Sequence, residues 1–472
     1  MWLLVWAFLM GSMGAVADGE RLLFAGDVML SREVAREMEK RGHLSPWSHM
    51  SGLQPSDFAM INFEGAVGTV DRCHTHKSTP CFAVAPEMVQ VIAKTGFSAA
   101  GLANNHAGDL GAEGRGQSRQ SLRQAGITPL DYSDSPGFVR LGERTLAILA
   151  INTIAGVDQA KDQVLSLETA RKLRLASTLA DWVVVFIHWG GELRDWPQEG
   201  QVNAAKWLVK QGADLIIGHH PHVPIAPDCV NGHPVFYSLG NHIFDQKYAA
   251  TKRGMLVECV VKEGILRCHP LYTRTALGTS FPRLEEKSES AKEEERQMEG
   301  CGVPARGGLE VEGWLVRPYG EPHRLVSGPT ILEGGRGGVT SWRSAARHLL
   351  AIEAGRLEGR GPVKLFTVER HPSRLDAEDA PRPYVYDIAG HGLIARWRGT
   401  ALAWPLLDAR LLTDKDGSVL LCALHRADSF LQLNPQTRKT RTALYRWNGF
   451  GFSAAKTTRD KETACQRLFQ IK

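Results

Sequence analysis

An α/β domain followed by a smaller β-rich domain is the architecture this sequence predicts, and three observations predict it. The 472 residues are more than one ordinary core accommodates. Short apolar runs alternate with helical patterns from Arg21 to about Tyr272. From Gly308 onward the elements are short, strand-like and separated by turn residues. A hydrophobic fraction of 43% and a charged fraction of 23% are those of a folded chain.

The first seventeen residues carry no charge. Trp2 to Met10 is strongly apolar, and Ala15-Val16-Ala17 offers an A-x-A cleavage site. Residues 1–17 are therefore expected to be a signal peptide or, if uncleaved, an N-terminal anchor, which makes the protein exported, periplasmic or extracellular. Nothing later in the sequence approaches the roughly 20 apolar residues of a membrane span. The runs Leu22–Ala25, Phe58–Ile61, Ala99–Ala103, Leu146–Ile151, Trp182–Ile187, Leu215–Ile217, Val235–Tyr237 and Met255–Val261 read as strands. Met88-Val89-Val91-Ile92 and Val202-Ala205-Lys206-Leu208-Val209 read as helices packed by one face. This domain is expected over 21–283, with functional residues on loops after strand C-termini.

Residues 284–307 contain a mixed-charge run, Glu285 to Arg296, which reads as a solvated helix or a linker. Over 308–472 the expected strands are Leu309–Val316, Val363–Val368, Tyr384–Ile388, Leu393–Trp397, Val419–Leu424 and Leu444–Trp447, with one helical stretch near Ser344–Glu353. Asp416-Gly417 and Asn448-Gly449 mark turns between them. Trp314, Trp397, Trp404 and Trp447 fit a buried core better than a carbohydrate platform.

Eight cysteines point to an oxidising compartment. Cys73 and Cys81 bracket a short polar loop that a disulfide would staple. If Glu263-Gly264 is a two-residue hairpin turn, counting outward puts Cys259 opposite Cys268, at a spacing a disulfide tolerates. Buried thiols or a metal pair are the alternatives. The net charge of +5, from 56 basic and 51 acidic residues, is a weak bias. With no basic stripe interleaved with aromatics, nucleic acid is not expected as a partner.

Five apolar runs end abruptly in ligand-type residues: Gly26-Asp27, Asn62-Phe63-Glu64-Gly65, Asn104-Asn105-His106 with Asp109, His188-Trp189-Gly190-Gly191-Glu192, and Gly218-His219-His220-Pro221-His222. Singly, each has an ordinary explanation as a turn, a cap or a satisfied hydrogen-bonder. Together, on one edge of a parallel sheet, they would collect two carboxylates, an amide and several imidazoles. Such donors suit Mn, Fe or Zn, and the lack of a nearby cysteine argues against a thiolate site.

Gly26-Asp27-Val28-Met29-Leu30-Ser31-Arg32, Asn62-Phe63-Glu64-Gly65, Ala103-Asn104-Asn105-His106-Ala107-Gly108-Asp109, His188-Trp189-Gly190-Gly191-Glu192, Gly218-His219-His220-Pro221-His222 and Tyr237-Ser238-Leu239-Gly240-Asn241-His242-Ile243-Phe244-Asp245 resemble a motif series. It is that of the bacterial poly-γ-glutamate capsule-synthesis (CapA/PgsA) family, a branch of the calcineurin-like metallophosphoesterase superfamily. The resemblance runs from about Leu22 to Asp245 and leaves the domain after Arg283 uncovered. It implies a four-layer metallophosphoesterase-like sandwich, two central sheets flanked by helices, holding two divalent metal ions (Mn, Fe or Zn). It makes Asp27 a ligand of the first ion, puts Glu64 where the superfamily has a bridging Asp, and makes Asn105 a ligand of the second. His106 becomes the acid that protonates the leaving oxygen, with Asp109 orienting it. His188 becomes the isolated histidine ligand, and His220 and His222 the His-x-His pair, with His219 close enough to leave the register open. Arg32 is a candidate for gripping a substrate carboxylate or phosphate, or a plain surface arginine. Glu192 and Asn241 would line the pocket, and Trp189 would pack.

One departure stands out: the superfamily's Asp-x-His first motif is Asp27-Val28-Met29 here, so one histidine ligand is missing. The function implied is an exported metal-dependent hydrolase or transferase. Its substrate would be an anionic cell-envelope polymer of poly-γ-glutamate type, or its precursor, with membrane-bound capsule-synthesis proteins as candidate partners. The alternative is a non-catalytic, metal-stabilised scaffold of a capsule export complex.

Overall fold

A computed structural model of the chain describes residues 19–470 apart from 43–44, 51–55, 74–79, 157–161, 163, 287, 360, 373–378, 400–401, 403, 414–416, 428–438 and 457. The expected signal or anchor segment, and Asp416 of the expected turn, lie outside the described residues.

The structure is mixed α/β, with mostly strands. In the first half the strands are β1 (Glu20–Val28), β2 (Phe58–Phe63), β3 (Ala99–Gly101), β4 (Thr128–Leu130), β5 (Gly137–Leu141), β6 (Arg144–Asn152), β7 (Trp182–His188), β8 (Leu215–His219), β9 (Asp228–Val230), β10 (His233–Phe236) and β11 (Asn241–Ile243). They are followed by β12 (Arg253–Lys262), β13 (Ile265–Thr275), β14 (Pro282–Leu284) and β15 (Val303–Pro304). One sheet has the order β14-β13-β12-β1-β2-β3-β4, with β11 also on β1 and β15 on β13; the other has the order β9-β10-β8-β7-β6-β5. The five ligand-bearing strand ends therefore belong to two sheets, three to the first and two to the second. This corrects the single sheet edge that the apolar runs alone suggest.

The sheets pack face to face. Leu22, Phe24, Phe58 and Met60 of the first meet Ile148, Val184, Phe186 and Ile217 of the second in one buried core. The outer face of the first sheet is covered by helices α1 (Arg32–Arg41), α2 (Pro86–Ala93) and α3 (Gly111–Gln124), through Val34, Met38, Val89, Ile92 and Leu122. The outer face of the second is covered by α4 (Leu167–Leu179) and α5 (Glu199–Lys210), through Leu173, Ala176, Ala205 and Leu208. Strand β1 changes partner along its length: Glu20–Ala25 run antiparallel to β12, whereas Asp27 and Val28 pair with Asn241 and Ile243 of β11. The irregularity falls at Gly26, where a Cβ would lie 2.1 Å from the Gly240 carbonyl oxygen. Only a residue without a side chain lets these backbones meet.

The 284–307 segment holds α6 (Glu289–Glu299), whose buried residues are Ala291 and Met298, and it ends on β15 against β13. Of the two readings of this charged run, the solvated helix is the one present. Beyond it lie three consecutive four-stranded antiparallel meanders. The first comprises Leu309–Val311, Trp314–Pro318, Leu332–Arg336 and Val339–Arg343. The second comprises Leu349–Gly355, Lys364–Pro372, Asp379–Ala389 and Gly392–Arg398. The third comprises Leu406–Thr413, Val419–Arg426, Thr440–Trp447 and Phe452–Ala454, and α7 (Arg459–Leu468) follows it.

Two expectations are corrected here. Ser344–Glu353 is not helical: it leads into the Leu349–Gly355 strand, whose apolar side faces α4. Leu309–Val316 is not one strand but a hairpin, turned by Glu312 and Gly313, both with positive φ. Trp314 and Trp447 are buried in the core, and Trp397 and Trp404 are partly buried. Among the described residues, no helix is long and apolar enough to cross a membrane.

All eight cysteines pair, as Cys73–Cys81, Cys229–Cys301, Cys259–Cys268 and Cys422–Cys465. The Glu263-Gly264 turn has positive φ at both positions, and the register runs Lys262 opposite Ile265 and Cys259 opposite Cys268. The counted hairpin is thus the observed one, with a Cα separation of 4.0 Å at the disulfide.

Candidate metal centre

Strand pairing sets the ligand rows. In the first sheet Asp27 lies beside Asn62 on one side and Asn241 on the other. In the second, His188 lies between His219 and Asn152. Apart from Asn241, which opens β11, these residues sit toward strand C-termini, and the face-to-face packing turns the two rows toward one another.

Glu64, just past β2, is completely buried, and neither carboxylate oxygen has a hydrogen-bond partner. Its Oε1 is 3.7 Å from Nε2 of His222 and 3.9 Å from Nε2 of His106. Asp27 is also fully buried: its Oδ1 accepts from Asn62 at 2.8 Å and lies 3.3 Å from His219 Nδ1. Its Oδ2 lies 3.2 Å from His222 Nδ1, a nitrogen already engaged by Asn241 Oδ1 at 2.9 Å, so Oδ2 is left unpartnered. His188 Nε2 lies 2.7 Å from Asn105 Oδ1 and 3.1 Å from His220 Nδ1. Asp27, Glu64 and His188 form one group whose ligand atoms all fall within 4.8 Å of each other; Glu192, His220 and His222 form another.

The electrostatics fit cation binding. Burial, reinforced by the charges of Asp27, Glu192 and Asp109, holds the Glu64 carboxyl well above its usual range despite the nearby His222. For Asp27, burial acts upward, but the imidazoles of His219 and His222 outweigh it and hold the carboxyl well below its usual range. Burial and the neighbouring imidazoles push His188 well down and His220 to about 4. His222 goes the other way, to about 9, because Glu64 and Asp27 overcome the effect of its burial. An orphaned buried carboxyl beside His188 and His220, whose imidazoles are held neutral, is a donor set that a divalent cation would satisfy by displacing the carboxyl proton.

His106 stands next to this cluster. Its Nδ1 is hydrogen-bonded to Asp109 Oδ2 at 2.9 Å, and its ring stacks on Phe82 with centroids 3.8 Å apart. The same Asp109 oxygen accepts from the Phe82 backbone N–H at 2.8 Å. The structure therefore brings Asp27, Glu64, Asn105, His106, Asp109, His188, His219, His220, His222 and Asn241 into one place, with Glu192 at its exposed rim. All three candidate histidines participate: His219 and His222 face Asp27, and His220 faces His188. Arg32 is otherwise engaged. Its guanidinium pairs with both oxygens of Asp245 and lies 4.6 Å over the Phe82 ring. Trp189 packs, donating its indole N–H to the Tyr237 carbonyl at 2.9 Å.

Sequence reasoning passed over Asn62 and Asn104. Asn62 donates to Asp27 and lies 3.3 Å from His188 Nδ1, while Asn104 donates to Asn62 at 3.1 Å and accepts from the His106 backbone N–H. Both stand inside the quoted motifs, but only strand register reveals whom they touch. His242, in the last motif, points elsewhere and takes the Trp47 indole N–H at 3.2 Å.

The family model described as "Bacterial capsule synthesis protein PGA_cap" matches residues 21–246. "Capsule biosynthesis protein CapA" of Bacillus anthracis is 30% identical over 262 residues, covering 50% of this chain and 62% of that protein. "PGA biosynthesis protein CapA" of Bacillus subtilis (strain 168) is 30% identical over 255 residues, covering 51% of this chain and 67% of that protein. A "probable polyglutamine synthesis accessory protein" of Mycobacterium tuberculosis is 25% identical over 231 residues, 42% of this chain and 60% of that protein. The chain thus spans less than two thirds of the B. anthracis relative, and the three meanders fall outside the family match. With its strand-end motifs in unbroken order and its first half alike to these relatives, the chain belongs to the bacterial capsule-synthesis CapA/PgsA family.

Proposed function

We propose that this chain is an exported, metal-dependent hydrolase or transferase. It acts on a poly-γ-glutamate-type capsule polymer or its precursor, on a metallophosphoesterase-like sandwich. The observation that carries the reading is Glu64: a fully buried carboxylate with no hydrogen-bond partner, next to Asp27 and three imidazoles, calls for a cation. Asp27, Glu64, Asn105, His188, His220 and His222 would between them hold the two ions. When bound, such ions activate water and polarise the scissile group. The chain's own residues do the rest. Asp109 accepts the Nδ1 proton of His106 and fixes the ring, leaving Nε2 to pass a proton to the leaving atom. Phe82 covers one ring face and excludes water from it. Export is supported by the apolar leader and by the pairing of all eight cysteines.

A scaffold role is the second reading, favoured by Val28 and Met29 where a histidine ligand would follow Asp27. The His106–Asp109 pair argues for turnover, since a scaffold needs no positioned acid. The deciding test measures metal content of the purified protein, then cleavage of poly-γ-glutamate and of a generic phosphodiester, with His106→Ala as control. Turnover lost in His106→Ala while metal content is unchanged supports catalysis. Bound metal with no His106-dependent turnover on either substrate leaves the scaffold.

A further inference from the structure

We infer that Glu192 is a metal ligand, completing with His220 and His222 a divalent-cation site beside the one formed by Asp27, Glu64 and His188. The inference rests on the metal-dependent reading above and makes a metal ligand of Glu192, which the resemblance places only in the pocket lining.

Charge comes first. The Asp27 group carries two carboxylates, whereas His220 and His222 alone offer two imidazoles and no anion to balance a divalent ion. Glu192 supplies that anion, with an oxygen within 4.8 Å of ligand atoms on both histidines. The two groups adjoin: His220 Nδ1 is 3.1 Å from His188 Nε2, and His222 Nε2 is 3.7 Å from Glu64 Oε1. A carboxylate with a histidine pair suits Mn²⁺, Fe²⁺ or Zn²⁺.

Backbone conformation is the second, independent observation. Leu193, His220 and His222 all have positive φ, at 59°, 96° and 58°. Non-glycine residues in this region are strained, and such strain persists where the surroundings enforce it and clusters at ligand sites. The two loops that carry the strain are joined by the Leu193 N–H donating to the Pro221 carbonyl at 2.9 Å. This bond sits between Glu192 and the two histidines and fixes their spacing. At the loop's start Gly190 adopts φ +83°, and a Cβ there would lie 2.6 Å from the Gln201 side chain of α5. The Glu192 loop is thus anchored at both ends. Glu192 itself is exposed, so its carboxylate stays hydrated until an ion arrives.

The test uses the full chain, stripped with chelator and reloaded with Mn²⁺ or Zn²⁺. Stoichiometry is measured by elemental analysis and affinity by calorimetry. Two ions per chain are expected in the unsubstituted protein. Glu192→Gln should keep one ion at unchanged affinity and weaken the other about tenfold or more, while Asp27→Asn should weaken the ion that Glu192→Gln spares. Glu192→Gln binding both ions with full affinity overturns the inference and leaves the metal-dependent reading standing. Both substitutions weakening the same ion also overturns it. An unsubstituted chain that takes up neither Mn²⁺ nor Zn²⁺ overturns the metal-dependent reading itself, and the inference with it.

Discussion

Asn62 touches more of the site than any motif spacing suggests. Its amide donates to Asp27 at 2.8 Å, lies 3.3 Å from His188 Nδ1, and accepts from Asn104 at 3.1 Å, so one side chain aligns candidate ligands from both sheets. Partners that orient ligands in this way are commonly worth 10–100-fold in metal affinity. Asn62→Ala is therefore expected to weaken Mn²⁺ binding by about that factor, measured calorimetrically, with the fold retained by circular dichroism. At this scale the sequence was legible wherever a ligand-type residue broke an apolar run, as Asp27, Glu64 and His188 do. It was illegible where the role depends on a neighbour across the sheet, as for Asn62, or on a distant loop. The pairing of Arg32 with Asp245, and the stack of Arg32, Phe82 and His106, bring together four segments far apart in the chain.

At the scale of elements, the bend in β1 governs how Asp27 is presented. The strand leaves β12 and joins β11 at Gly26, and a methyl group at that position would come within 2.1 Å of the Gly240 carbonyl oxygen, too close for any side chain. Gly26→Ala is expected to destabilise the chain by about 2–3 kcal/mol and to displace Asp27. Urea unfolding and loss of bound metal would both register it. Central strands read correctly because both faces are apolar. Helix α3 escaped notice because its buried face is Gly111, Gly114, Ser118 and Leu122, a stripe of small residues that carries little apolar signal. That face lies against the short Ala66–Val67 strand, whose Val67 N–H donates to Ser118 Oγ at 2.8 Å. The Ser344–Glu353 stretch misled in the opposite sense: its apolar residues lie in the Leu349–Gly355 strand, which pairs with Lys364–Pro372 and packs Leu349 and Ile352 with residues of α4.

For the molecule as a whole, two kinds of tie hold the parts together. The meanders are fastened to α4 by polar contacts as well as by packing: Arg174 pairs with the buried Asp408 at 2.6 Å, and Arg171 donates to the Leu407 carbonyl at 3.1 Å. The other tie is Cys229–Cys301, which the sequence did not suggest because its halves are 72 residues apart. Cys229 sits on β9 at the edge of the second sheet, and Cys301 just before β15 at the edge of the first. Closing a loop of that length is worth about 4 kcal/mol, against about 2.5 for the short Cys73–Cys81 loop, if chain entropy dominates. Cys229→Ser with Cys301→Ser should therefore lower the free energy of unfolding more than Cys73→Ser with Cys81→Ser, compared in matched urea titrations.

The same bond makes the chain tolerant of a nick. Between its cysteines lies the stretch with Leu277, 73% exposed and open to a protease. A cut there severs the polypeptide but not the molecule: the fragments travel as one band on a non-reducing gel and separate only when thiol is added, with the ligand rows of both sheets still joined.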